Sequence, residues 1–105
     1  MIIYEVNLAV EIAIEKEFKS WLNGHIAEML RIDGFRSSEI FEDEGNDQPV
    51  CRLVVQYRVS SRANLQAYFD TDSSKMRDEG IRRFGSRFTA TRRILKVCRV
   101  GEVSR

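Results

Sequence analysis

In VCRLVVQYRVS, residues 50–60, the side chains alternate. Cys51, Leu53, Val55, Tyr57 and Val59 make one wholly apolar face, and Arg52, Val54, Gln56 and Arg58 make a mixed one. A period of two sustained over this length is a β-strand with one face in a core. Directly before it, EGNDQP (44–49) gathers a glycine, an asparagine and the only proline of the chain, which predicts a turn. FRSSEIFED (35–43) reads as a second, less regular strand, so the two are expected to pair as an antiparallel hairpin.

Working outward, IIYEVNLAV (2–10) has the same period, with Tyr4, Val6, Leu8 and Val10 on one face and Ile3, Glu5, Asn7 and Ala9 on the other. Residues 12–32 change to helical period. Ile14, Phe18, Trp21, Leu22, His25, Met29 and Ile32 fall in one stripe, Glu11, Glu15 and Glu17 suit the positive end of the helix, and Gly34 is expected as a left-handed cap. After the hairpin, Ser61 predicts the N-cap of a second helix carrying Leu65, Tyr68 and Phe69. Asp72, Ser73 and Ser74 interrupt that pattern, so a break is expected, with Asp72 capping a further piece that carries Met76 and Phe84 and ends at Gly85. RFTATRRILKVCRV (87–100) is rich in β-branched and aromatic residues and predicts a long last strand.

Strand, helix, strand, strand, helix, strand is the α+β order β-α-β-β-α-β of a ferredoxin-like domain. It predicts a four-stranded antiparallel sheet, order 4-1-3-2, with both helices on one face. At 105 residues the chain makes a single domain, 1–105. The opposite sheet face is expected to be largely apolar and to need cover, which a second copy would supply as a homodimeric α+β barrel.

Composition narrows the classes further. The chain is 43% apolar and 31% charged, and no apolar run approaches the roughly 20 residues needed to cross a bilayer. MIIYEV has neither a basic leader nor an apolar stretch before a cleavage site, so a cytoplasmic protein is expected. Cys51 and Cys98 form no CxxC and sit among β-type residues. They read as small buried hydrophobes, with a disulfide or redox role as the alternative. The net charge of +1 is unevenly spread, at −7 over residues 1–48 and +7 over residues 75–105. Neighbouring elements, a dimer partner or an anionic partner could each balance that asymmetry.

MIIYEVNLAV at the start, WLNGHIAEML followed by DGF, LVVQYRV, and RDEGIRRFGSRFTATRRIL near the end cover most of the chain. In these segments the chain resembles a bacterial domain-of-unknown-function family within the dimeric α+β barrel superfamily. The resemblance implies that fold and a homodimer, and carries over no reaction. The wider superfamily includes antibiotic-biosynthesis and haem-degrading monooxygenases. Some haem-degrading members use an asparagine on the first strand with a tryptophan and a histidine from the second helical region. Asn7 matches the first of these, but RANLQAYFDTDSSKMRDEGIRRF holds neither of the others, so haem degradation does not transfer.

His25, the only histidine, lies on the apolar stripe of the first helix one turn after Trp21. It reads either as a general base facing a pocket or as a hydrogen-bonded core residue with Trp21 as filler. One histidine builds no His-rich zinc or iron site, so no metal is expected. Glu5, Asn7, Gln56 and Arg58 can converge on neighbouring strands. They would form either a ligand pocket with Arg58 as its anion clamp or a structural patch with a Glu5–Arg58 pair. Walker A, GxGxxG and GxSxG segments are absent from the sequence, so no cofactor is expected. The basic run from Arg82 to Arg99 lacks the stacking aromatics of an RNA-binding sheet, which argues against nucleic acid. Two functions remain. One is a barrel binding a small organic ligand, in the manner of a cofactor-independent monooxygenase, through Asn7, Trp21, His25, Tyr57 and Arg58. The other is a non-catalytic dimeric interaction module with a basic C-terminal surface. No catalytic residue is assigned at this level.

Overall fold

The computed structural model describes residues 1–45 and 49–104. The centre of the turn predicted over 44–49, residues 46–48, lies outside the described residues. Four strands, β1 (Ile2–Glu11), β2 (Phe35–Glu42), β3 (Val50–Val59) and β4 (Phe88–Lys96), form one antiparallel sheet in the order β2-β3-β1-β4. This is the predicted 4-1-3-2 order. The helices are α1 (Glu15–Met29), α2 (Arg62–Thr71) and α3 (Ser73–Phe84).

Register explains the core. Tyr4, Val6, Leu8 and Val10 of β1 stand opposite Tyr57, Val55, Leu53 and Cys51 of β3, so the two apolar faces add into one surface. Phe18, Leu22, Ile26 and Met29 of α1, Leu65 and Tyr68 of α2, and Met76 and Phe84 of α3 pack against it. Filling this layer supplies most of the stabilisation, at roughly 1.5–3 kcal/mol for each large side chain fully buried.

The helix boundaries follow local chemistry. Ser61 caps α2 as predicted, its Oγ accepting from the backbone N–H of Asn64 at 3.1 Å. The second helical region breaks at Asp72, also as predicted. Asp72, however, does not cap α3 through its side chain, because its carboxylate instead accepts from the Thr71 hydroxyl at 3.1 Å. The predicted 12–32 helix opens as a short 3-10 turn over Ile12–Ile14 and ends earlier, at Met29. Gly34, at φ 87°, therefore turns the chain into β2 rather than capping α1. A Cβ there would sit 2.4 Å from Asn64 Cγ, so both conformation and space demand glycine.

Two further expectations fail for physical reasons. The last strand stops at Lys96 because its partner β1 runs out, the final bond being Val97 N–H to Met1 O at 3.2 Å. Cys98 is consequently exposed, while Cys51 is buried as expected. The outer sheet face is not largely apolar. Alternation sends Glu5, Asn7, Arg52, Gln56, Arg58, Thr89, Thr91 and Arg93 outward beside Ile3, Val54, Phe41 and Leu95. Part of the charge asymmetry closes within the chain, since Arg93 pairs with Glu5 and Arg87 reaches Glu11 at 3.8 Å.

Candidate functional site

Trp21 and His25 stand one turn apart on α1 and face the sheet. Their rings stack with centroids 4.7 Å apart and planes 22° apart. Together with Tyr4 of β1, Tyr57 of β3, Arg77 of α3 and Arg92 of β4, they border a cavity of about 50 Å³ between sheet and helices. Gly80 makes room for this arrangement, because a Cβ there would lie 2.9 Å from Trp21 Cη2 and 3.3 Å from Phe88 Cζ.

The His25 side chain is 14% exposed. Its Nδ1 is buried without a hydrogen-bond partner among the described residues, and Glu79 Oε2 stays 4.0 Å away, beyond useful hydrogen-bond reach. Burial pushes the imidazole pKa below its ordinary value. The Arg92 charge adds to that shift and Glu28 opposes it. At neutral pH the ring is therefore uncharged and able to accept a proton. Burial also pushes the Tyr57 and Tyr68 hydroxyls up, so both are neutral donors.

Of the five residues singled out in the sequence, Trp21, His25 and Tyr57 meet at this cavity. Asn7 and Arg58 do not, since strand alternation puts them on the outer face. There Glu5 is held by three donors: Arg93, Gln56 Nε2 at 2.8 Å and Asn7 Nδ2 at 3.0 Å. The ion pair expected between Glu5 and Arg58 is replaced by Glu5–Arg93, because Arg93 stands directly opposite Glu5 whereas Arg58 stands opposite Ile3. Arg58 turns to Glu39 at 4.0 Å, largely in solvent. Hydrogen bonding to Arg93 above all holds the Glu5 pKa at about 2, against the opposing effect of burial.

Sequence reading missed Arg92 and Arg77. Arg92 shares its parity along β4 with Phe88, Ala90 and Ile94, a signal that would have turned it inward. Arg77 follows Met76 on α3 and reaches the cavity only because its side chain stretches back to the sheet, with Nη2 3.4 Å from Tyr4 OH. Elsewhere, Glu15, Glu42 and Cys51 converge within 4.8 Å. Lys19 already binds both carboxylates, at 2.9 and 2.8 Å, so a cation has been supplied from within the chain.

Four antiparallel strands in this order, covered on one face by helices over an aromatic cavity, define a ferredoxin-like α+β fold. The chain belongs to the family described as Domain of unknown function (DUF4286), whose model matches residues 1–98. A search of curated proteins finds no match. Among solved structures, the chain is similar to a candidate antibiotic biosynthesis monooxygenase from Deinococcus radiodurans, with TM-score 0.74, 12% identity and 99% of each chain covered. It is also similar to a mutant of SnoaB, a cofactor-independent oxygenase from Streptomyces nogalater, with TM-score 0.69, 12% identity, and 94% of this chain and 95% of that one covered. The de novo designed protein Foldit4 shares the fold too, with TM-score 0.60, 12% identity, and 91% of this chain and 97% of that one covered. A designed scaffold in the same company means the fold alone carries no activity, and function must be argued from the cavity.

Proposed function

We propose that this protein binds a small organic molecule between sheet and helices, as one half of a homodimeric α+β barrel, and oxygenates it without a cofactor. The observation that carries the reading is His25, a neutral imidazole at an aromatic cavity with its buried Nδ1 unpartnered. A core histidine would have its nitrogens satisfied. A proton acceptor left open beside a cavity suits general-base chemistry.

His25 takes a proton from an acidic C–H of the bound molecule, leaving an electron-rich carbanion that reacts with dioxygen. When a CH₂ becomes C=O, one oxygen atom enters the product and the other leaves as water. The substrate supplies all four electrons, so no reductant is needed. SnoaB, which shares this fold, is a cofactor-independent oxygenase, and that supports this class. The second copy would cover the outer face, where Phe41 is 43% exposed beside Val54. Among the described residues no helix is long and apolar enough to cross a membrane, and the free thiols Cys51 and Cys98 suit a reducing compartment such as the cytoplasm. The pairing of Arg87 and Arg93 with β1 carboxylates leaves less unbalanced charge for a basic docking surface, which favours this reading over an interaction module.

The test is dioxygen uptake with a panel of aromatic 1,3-dicarbonyl compounds, comparing the wild type with His25→Ala. Loss of the general base is expected to slow turnover by about 10²-fold or more. Native mass spectrometry should give twice the 12.2 kDa chain for both proteins. A variant that keeps full turnover and loses only thermal stability would return His25 to the core.

A further inference from the structure

We infer that the ligand of this cavity is a planar aromatic molecule carrying a ring-conjugated anionic oxygen, bound between Arg77 and Arg92. The inference rests on the cavity being a ligand site and specifies what that site selects.

Charge at the cavity has one sign. Arg77 and Arg92 border it, and no Asp or Glu does so among the described residues. The two arginines come from opposite layers, Arg77 from α3 and Arg92 from β4, and both line the same cavity. Neither forms an ion pair among the described residues, which is also true of Arg31, Arg82 and Arg83, and what sets this pair apart is that both border one cavity. In a chain carrying 16 acidic residues, two arginines left without one at the same opening form a ready anion clamp. Among the described residues, Arg77 makes one long contact, to Tyr4 OH at 3.4 Å, which a stronger acceptor would displace.

The walls behind the clamp are flat. Tyr4 and Tyr57 stack with centroids 6.0 Å apart, and Trp21 lies against His25 and Phe18. Such walls accept a ring in offset or edge contact. At about 50 Å³ the cavity is smaller than the roughly 150 Å³ void known to take benzene. A ring therefore enters as Met76, a flexible thioether on the wall, and the exposed Arg77 swing aside. His25 then lies beside the ring while the arginines hold its anionic oxygen, and the same pair would stabilise negative charge that proton removal places on that oxygen.

Matched probes test this. Benzoate is compared with benzamide for a carboxylate, and 4-nitrophenolate with 4-nitroanisole for a phenolate. Binding is followed by the NMR shift of the Trp21 indole, which is unique because the chain has one tryptophan. At least one anion is expected to bind roughly tenfold or more tightly than its neutral partner, and which one does so identifies the oxygen. Rising salt should weaken the anion and spare the neutral ring. Arg77→Gln and Arg92→Gln should each erase most of the preference, with circular dichroism confirming the fold. Equal binding of anion and neutral partner, or a preference untouched by both variants, overturns the anion clamp while leaving a ligand cavity. No shift of the Trp21 indole with any of the four probes overturns the cavity reading and the clamp together.

Discussion

The two faces of the sheet treat polar side chains in opposite ways. On the outer face Glu5 is buried, yet Asn7, Gln56 and Arg93 satisfy its carboxylate. On the helix side His25 is partly enclosed, its buried Nδ1 has no partner among the described residues, and two arginines stand nearby without carboxylates. Satisfied buried polar groups are what a stable fold requires, whereas unsatisfied ones cost stability and persist where they serve something else. The comparison teaches that the more elaborate polar cluster is structural here and that the emptier one is where the proposed site lies.

Removing Glu5 is the severest way to break that contrast. Glu5→Ala strips three donors of their acceptor and is expected to cost about 2–3 kcal/mol, a fall in Tm of about 10 °C or more. Ligand affinity at the Trp21 cavity should be unchanged, because the network lies on the other side of the sheet. Acid should do the same work gradually. With its pKa lowered from 4.5 to about 2 in the fold, ionised Glu5 stabilises fully above pH 4.5, and that contribution drains away as pH falls towards 2. Denaturant unfolding across this range checks it, and Glu5→Gln should flatten the loss. A Glu5→Ala protein as stable as the wild type would remove the structural half of the comparison.

The opposite change sharpens it. His25→Phe keeps a ring against Trp21 and deletes the unpartnered nitrogen. Thermal melts should show a gain of about 1 kcal/mol, because a buried unmet polar atom costs about 1–3 kcal/mol. Turnover should fall by about 10²-fold or more in the same protein. A loss of stability on this substitution would mean that the imidazole has a structural partner after all.

Why one face was legible in the sequence and the other only in part follows from what alternation encodes. Cys51, Leu53, Val55, Tyr57 and Val59 pick out the core face of β3 by themselves, and the helical stripe that carries Phe18 and Leu22 carries Trp21 and His25 with them. Strand order and three of the five candidate residues came from periodicity of that kind. Register did not, because a sequence fixes parity along a strand but not which residue stands opposite. Glu5 could meet Arg58 or Arg93 until β1 was seen to set it between Gln56 and Arg93. Asn7 and Arg58 were grouped with Trp21 and His25 although strand alternation puts a sheet between them. In the pair Arg92–Arg93 one side chain lines the cavity and the other pairs with Glu5 on the opposite face, so adjacent identical residues fall to the proposed site and the scaffold respectively. Cys98 was misplaced for a related reason, since its strand-like neighbours have no β1 residue to pair with.

That pair of arginines gives the smallest and most specific effect. Arg92 borders the cavity and its charge disfavours the imidazolium of His25, adding to burial. Replacing it with Gln removes the repulsion and leaves burial in place, so the His25 pKa should rise partway towards its ordinary 6.5. Because the base works as the neutral ring, activity falls as pH drops through that pKa, and the acid limb of the kcat/KM profile should move to higher pH in Arg92→Gln. The stability sign agrees. A depressed histidine pKa stabilises the fold fully above 6.5 and loses that contribution as pH falls through the folded value, so the variant should lose less on acidification than the wild type. Arg93→Gln is the control one residue away, on the other face. It should leave the acid limb where it was and instead weaken the fold, because Glu5 then keeps its buried charge without its cation. If both variants shift the limb equally, the two faces are coupled by general charge and the division between scaffold and site fails.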